Sequence, residues 1–388
     1  MLITNNLIYK DMFEKPKTKR IFALMLTWQC NLNCVYCFEK YKTKNKEMSL
    51  ETAKNIILKE FGEFEKTGDD GIIKVDFFGG EPLLNFPVIR DLSEWIWQQK
   101  FSINYVLSVT TNGTLLNEEM KSWFRLHKEH FRLILSVDGT EEMQRINRGC
   151  KEENLPIEFV RDTWPDLYLK STMSKESLKT FADGVIYMLD KGYKVASSIA
   201  VGVPWDDGDA QIYKRELEKI ADYYLQHMEI EPMPLFTRVF AELMEPYCNQ
   251  TPVKNCGTGT TMLAYDVDGT PYPCHLFLPI VHGKNIKDDI SKIDFFDNDR
   301  MIDDDCRKCG MLRICRTCYG FNYNDRGDVN KRDKRVCSML LVEAQVLSAF
   351  QINYLVKMAR MRKLTDSETF ALKAAIKCHH LYKDFILK

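Results

Sequence analysis

Cys30, Cys34 and Cys37 stand in the run Leu26-Thr27-Trp28-Gln29-Cys30-Asn31-Leu32-Asn33-Cys34-Val35-Tyr36-Cys37-Phe38, directly after a short apolar stretch. Three thiolates at this spacing hold three corners of a [4Fe-4S] cube and leave its fourth iron without a protein ligand. A structural site is normally closed by a fourth residue, so an open iron is a place for a substrate or cofactor. The competing reading is a zinc knuckle or three unrelated thiols. Eight further cysteines fall between Cys248 and Cys337, among Gly, Pro, Asp and Asn. Their core, Cys306-x2-Cys309-x5-Cys315-x2-Cys318, is also ordinary spacing for a pair of all-cysteine zinc ribbons. Cys150 and Cys378 are left over and read as buried or inert thiols.

Other residues suited to ligand binding sit where apolar runs end. Phe77-Phe78-Gly79-Gly80-Glu81-Pro82 joins two glycines, which let a backbone approach closely, to a proline that stops a strand ladder. Thr110-Thr111-Asn112-Gly113 and Ser136-Val137-Asp138-Gly139 put small polar side chains in equivalent places, where ordinary turn chemistry is the alternative. Arg148 follows one short helical segment later and carries a planar fork that matches a carboxylate; a surface arginine is its plainer reading.

These groups need a frame that brings them to one rim. From Ile21 to about Met228, β-branched or aromatic runs alternate with segments of helical period, the pattern of a parallel sheet with helices outside it. Six strands are predicted, at Ile21 to Leu26, Ile73 to Phe78, Tyr105 to Thr110, Leu133 to Val137, Leu167 to Thr172 and Val195 to Val203. Leu50, Ala53, Ile57 and Phe61 share one helix face behind a Ser49 cap, and Asn117 and Ser174 are similar candidate caps. The fold class is α/β, a partial (β/α)6 TIM barrel, whose sites lie at the C-terminal ends of strands. The cysteine loop follows the first strand at that end. The expected domains are a lead-in over 1–20, the barrel core over 21–235, a small cysteine-rich domain over 236–345 and C-terminal helices over 346–388. The last carry Leu340, Ala344, Leu347 and Phe350 at helical spacing.

Composition narrows the function. In 388 residues, 54 Lys and Arg oppose 55 Asp and Glu, a formal charge of -1, which gives no electrostatic case for nucleic acid or an anionic membrane. The basic run Lys357, Arg360, Arg362, Lys363 reads as one solvated helix face. No unbroken apolar segment of about 18 residues and no secretory signal is seen, so a cytoplasmic protein is expected. In a reducing compartment 13 cysteines point to metal or cluster ligation before disulfides.

The CxxxCxxC loop with Tyr36 before its third cysteine, followed one β-α unit later by Gly-Gly-Glu-Pro, resembles the radical S-adenosylmethionine (radical SAM) enzymes. The resemblance implies that SAM chelates the open iron. Gly79, Gly80 and Glu81 would meet its methionyl amine, Ser136 and Asn112 its ribose and carboxylate, Arg148 the carboxylate, and Tyr36 the adenine. An electron then cleaves the sulfonium, and the 5′-deoxyadenosyl radical removes hydrogen from an unactivated carbon.

Cys256, Gly269, Cys274, the 306–318 array and Cys337 further resemble the SPASM extension, which carries two auxiliary [4Fe-4S] clusters. One departure is the last pair, separated by two residues where three are usual. The resemblance implies one cluster on Cys306, Cys309, Cys315 and Cys337, and another on Cys256, Cys274 and Cys318. Cys248 is then the natural eighth ligand; if it binds, both auxiliary clusters are closed, and if not, one keeps an open iron. Anaerobic sulfatase-maturing enzymes use an Asp base at the position of His275, a departure that makes His275 only a weak catalytic candidate.

Three functions are therefore weighed: a maturase of ribosomally made peptides that installs a thioether or carbon-carbon crosslink, a formylglycine-generating sulfatase maturase, and a non-catalytic zinc-binding protein. The first two imply a peptide or protein substrate and a reduced flavodoxin or ferredoxin as electron donor. About twenty residues precede the first strand, too few for a leader-binding winged helix. A separate leader-binding protein is one expectation, and docking of the peptide by strand addition is another.

Overall fold

A computed structural model describes residues 19–151, 155–250 and 254–387. Strands β1 (Lys19–Met25), β2 (Ile72–Phe78), β3 (Asn104–Thr111) and β4 (Phe131–Leu135) pair in parallel and in sequence order. Strands β5 (Leu169–Met173) and β6 (Val195–Ile199) form a second parallel pair. The two sheets are linked by a parallel bridge between Ser136 and Lys170 and by the Val137 amide donating to the Lys170 carbonyl at 2.9 Å. The predicted six strands are therefore all present, each shifted by a few residues at its ends.

Helices α1 (Leu50–Thr67), α2 (Phe86–Gln99), α3 (Glu118–Leu126), α4 (Glu141–Arg148), α5 (Ile157–Thr163), α6 (Phe181–Asp190) and α7 (Asp207–Gln226) alternate with these strands. Ser49 caps α1 by accepting from the Thr52 amide, and Asn117 caps α3 by accepting from Met120. Ser174 does not cap a helix. Its hydroxyl donates to Asn147 Oδ1 at 2.7 Å, and the chain enters α6 through a short 3-10 turn at Leu178–Thr180. On β2 the buried Ile73, Val75 and Phe77 face the helices, while Asp76 and Phe78 line an internal cavity. That alternation sets aside one side of every strand for the site.

The cysteine-rich segment holds two strands that sequence reading missed, β7 (Met262–Tyr265) and β8 (Pro271–Tyr272). β7 runs parallel to β1 and extends the barrel sheet at its β1 edge, with Ile21 opposite Met262 and Leu24 opposite Tyr265. β8 returns antiparallel through a turn in which Gly269 takes φ 82° and donates to the Asp266 carbonyl at 2.8 Å. A left-handed φ explains why a glycine stands between Cys256 and Cys274. Asp266 Oδ1 also accepts from Trp28 Nε1 at 2.7 Å, fastening this hairpin to the loop that carries Cys30.

Beyond the one-turn helices α8 (Pro279–His282) and α9 (Lys287–Ile290), and α10 (Tyr319–Arg326), the chain ends in α11 (Cys337–Met361) and α12 (Asp366–Tyr382). The 337–361 helix runs through the expected boundary at 345/346. Within Lys334–Met361 an 18-residue window with mean hydropathy 1.4 makes this helix long and apolar enough to cross a membrane by length and composition. It carries the buried Glu343, and Ala344, Leu347 and Phe350 belong to the main core. Glu368 at the start of α12 accepts from both Arg362 guanidinium nitrogens, at 2.8 and 2.6 Å, and from the Thr365 amide. Arg362 holds this carboxyl below its ordinary range. A depressed carboxyl contributes stability above its unfolded value, near about 4.3, and loses it as pH falls through the folded value. Glu368→Gln should therefore flatten the acid limb of stability. Urea midpoints at neutral and acidic pH check this, and an unchanged acid limb would refute it.

Candidate active site

The loop bearing Cys30, Cys34 and Cys37 leaves β1 and is gripped first by backbone. Gly80 N donates to the Thr27 carbonyl at 3.0 Å and Glu81 N to the Gln29 carbonyl at 2.8 Å, continuing the β1–β2 register past the strands. A Cβ on Gly80 would lie 2.3 Å from the Gln29 carbonyl oxygen, and one on Gly79 would lie 2.8 Å from that of Thr27. Both obstacles are main chain and cannot rotate away. Gly80→Ala should therefore displace the cysteine loop and lower stability by about 1–3 kcal/mol. A thermal melt with iron analysis tests it; a variant with unchanged melting and full iron content would show the contact to be dispensable.

The three cysteines open onto one cavity of about 330 Å³, with Tyr36, Gly79, Gly80, Glu81, Asn112, Ser136, Arg148, Lys170 and His275 also on its walls. Burial pushes the Cys34 thiol up to about 11, with the Arg148 charge opposing it; Cys30 is likewise raised by burial and opposed by Lys42. Two cations beside three converging thiols suit an anionic thiolate set, the donor chemistry an iron–sulfur cube requires.

Glu81, expected at an amine, is 1 % exposed and already accepts from Thr111 Oγ1 at 2.7 Å, Asn112 N at 2.9 Å and Leu83 N at 3.0 Å. It clamps the Gly-Gly-Glu-Pro turn to the end of β3 while lining the cavity. Asn112 reaches the cysteine loop directly, its Nδ2 donating to Asn31 Oδ1 at 2.9 Å. Ser136 is on the wall, nearly buried.

Arg148 does not present a free fork. Its Nε and Nη2 donate to Asp138 Oδ2 and Oδ1 at 3.0 and 3.1 Å, in a pair buried on both sides. Tyr36 OH donates to Asp138 Oδ2 at 2.6 Å, and Thr172 N to Oδ1 at 3.0 Å. Asp138 is thus the residue that sequence reading passed over, because Ser-Val-Asp-Gly reads locally as a turn. It joins the cysteine loop, α4 and β5. Tyr36 is thereby fixed by its hydroxyl, with the Arg148 guanidinium 5.6 Å from its ring centre.

The rest of the wall combines the barrel interior with the cysteine-rich segment. Asp76 is paired with Lys74 Nζ at 3.4 Å and accepts from Ser108 Oγ at 2.7 Å. His275 enters just after β8, with ring centroids 5.0 Å from Phe78 and 5.5 Å from Phe38. Burial, with the Lys170 charge adding to it, pushes its imidazole down to about 4.

The remaining cysteines fall into two groups. Cys306, Cys309, Cys315 and Cys337 line one small cavity with Arg332, and Lys334 Nζ lies 3.0 Å from Cys306 Sγ. Cys256, Cys274 and Cys318 act electrostatically on one another, and burial pushes Cys274 up to about 12. Cys248 Sγ donates to Asn249 Oδ1 at 3.7 Å. Cys378 is buried and donates to the Ala344 carbonyl at 3.7 Å, whereas Cys150 accepts from Gln144 Nε2 at 3.4 Å. Among the described residues, no three His, Cys, Asp or Glu side chains are gathered as a single-ion site.

Residues 25–215 match the family described as the radical SAM superfamily. A segment of 118 residues is 36% identical to an uncharacterized protein of Methanocaldococcus jannaschii, covering 30% of this chain and 38% of that one. Radical SAM cyclopropyl synthase TigE of Paramaledivibacter caminithermalis is 26% identical over 190 residues, 45% of this chain and 39% of its own. A cysteine-type anaerobic sulfatase-maturating enzyme of Clostridium novyi is 22% identical over 323 residues, 74% of this chain and 84% of its own. The matches thus span less than half the length of the first two relatives. Among solved structures, native anSMEcpe with bound AdoMet and Cp18Cys peptide has TM-score 0.65 at 17% identity, covering 88% of this chain and 99% of that one. Streptococcus suis SuiB bound to precursor peptide SuiA has TM-score 0.58 at 17% identity, covering 82% and 76%. These two are likenesses of fold.

Proposed function

We propose, on the premise that residues 25–215 form a radical SAM domain, that this enzyme takes hydrogen from a ribosomally made peptide and installs a thioether or carbon-carbon crosslink. The observation that carries the reading is one cavity shared by Cys30, Cys34 and Cys37, by polar strand ends of the barrel and by His275 of the cysteine-rich segment. When bound, the cluster and SAM supply a 5′-deoxyadenosyl radical by one-electron reduction of the sulfonium. Cys30, Cys34 and Cys37 would hold that cluster. Ser136 and Asn112 are offered to SAM as polar contacts, and Glu81 chiefly sets the backbone of Gly79 and Gly80 in place. Asp138 keeps Arg148 and Tyr36 fixed along the wall, so the site is held in shape before any ligand enters.

Cys306, Cys309, Cys315 and Cys337 fit one auxiliary cluster, and Cys256, Cys274 and Cys318 three corners of another. These would serve electron transfer, with a reduced flavodoxin or ferredoxin as the outside donor. His275 follows Cys274 and reaches the cavity between Phe38 and Phe78, so it couples the second group to the substrate side. SuiB with its precursor peptide SuiA and anSMEcpe with Cp18Cys peptide support a peptide substrate.

A second reading is favoured by the Clostridium novyi relative, which matches over most of its length: oxidation of a protein cysteine to formylglycine. His275, where such enzymes have Asp, counts against it. Mass spectrometry of a peptide product separates the two. Loss of hydrogen with sulfur retained is expected for the crosslink, whereas loss of sulfur would establish the formylglycine reaction instead.

A further inference from the structure

Lys170 is a charge without a partner on the wall of the site. It lies on β5, where Leu169, Ser171 and Met173 are buried toward the helices and Lys170 and Thr172 line the cavity. Among the described residues it makes no side-chain hydrogen bond, and no ion pair within 4.0 Å is formed with it. The charges that act on it are Asp76, Arg148, Lys74 and Asp138. Both carboxylates are already engaged, Asp76 by Lys74 and Ser108, Asp138 by the Arg148 fork.

Lys170 is exposed to the cavity rather than sealed in protein, so its ammonium is open to an anion that enters. Lys42 is acted on by Cys30, Cys34 and Cys37, and Arg148 by Cys34, so those two cations attend the thiols. Lys170 instead acts on His275, the residue that the cysteine-rich segment adds to the cavity. The cation therefore faces the substrate side.

We propose that Lys170 binds a carboxylate of the substrate, so that the modified peptide carries an Asp, a Glu or a C-terminal carboxylate next to the carbon that loses hydrogen. This rests on the reading of the cavity as a radical SAM site for peptides. The test uses the holoprotein with SAM present, titrated anaerobically by calorimetry with a capped glycine-glutamate-glycine tripeptide and with its glutamine counterpart. Wild type should bind the glutamate peptide about tenfold more tightly. Lys170→Gln should bring that ratio to about one, and Lys170→Arg should keep most of it. Equal binding of the two peptides by wild type, or a preference that survives in Lys170→Gln, would overturn the proposal. So would a marked loss of SAM affinity in Lys170→Gln, which would assign the ammonium to SAM. Deoxyadenosine release by wild type, measured in the same samples, reports separately on the radical SAM reading.

Discussion

Replacing Cys30, Cys34 and Cys37 together by alanine will abolish formation of 5′-deoxyadenosine from SAM while leaving the barrel folded. The loop that carries them is held by main-chain bonds from Gly80 and Glu81 to Thr27 and Gln29, by Asn112 on Asn31, and by Tyr36 on Asp138. None of these contacts uses a sulfur. The variant should therefore keep its circular dichroism and melting transition. It should also lose about four of about twelve irons after anaerobic reconstitution, the content of one cube among three. The cysteine groups of the C-terminal segment lie on other elements and keep their share. Deoxyadenosine still made by the triple variant would refute the assignment of these thiols. About four irons in wild type, accompanied by zinc, would keep the first site and remove the auxiliary clusters.

The second large effect concerns a residue with no partner visible along the chain. Asp138→Asn removes the charge that balances Arg148 while leaving the guanidinium buried, and it weakens the bonds from Tyr36 OH and Thr172 N. Breaking a buried ion pair from one side costs about 3–5 kcal/mol. Chemical denaturation should show a loss of that order, together with weakened SAM binding, because Tyr36 and Arg148 line the cavity. Asp138→Asn combined with Arg148→Met removes both charges and should recover a large part of the stability but not the SAM affinity. A double-mutant cycle with no coupling between the two positions would show that the pair does not hold the site together.

The parts of this protein legible in the sequence are those encoded locally. Apolar runs at strand length exposed all six barrel strands, and Ser49 and Asn117 sit directly before helical periods, so their capping followed from type and position. The resemblance to the SPASM extension grouped Cys306, Cys309, Cys315 and Cys337, which share a cavity. Where a partner is distant, local reading failed. Ser174 has the chemistry of a cap and accepts from the Ser177 amide at 3.2 Å, but a 3-10 turn at Leu178–Thr180 intervenes before α6 begins. Asp138 reads as turn chemistry until α4 folds back and delivers Arg148. Strands β7 and β8 are four and two residues long and exist because β1 offers an unpaired edge, which no short window reveals. Lys170 in a strand reads as a solvent-facing charge; only closure of the barrel turns that face into the wall of a site.

The measurement that bears most directly on the central claim is hyperfine spectroscopy of the reduced holoprotein mixed anaerobically with SAM labelled by nitrogen-15 at its amine and oxygen-17 at its carboxylate. An open iron held by Cys30, Cys34 and Cys37 predicts coupling of both labels to the cluster spin, absent in the triple alanine variant. A reduced cluster whose spectrum shows neither coupling, or protein that takes up no iron at all, would contradict it.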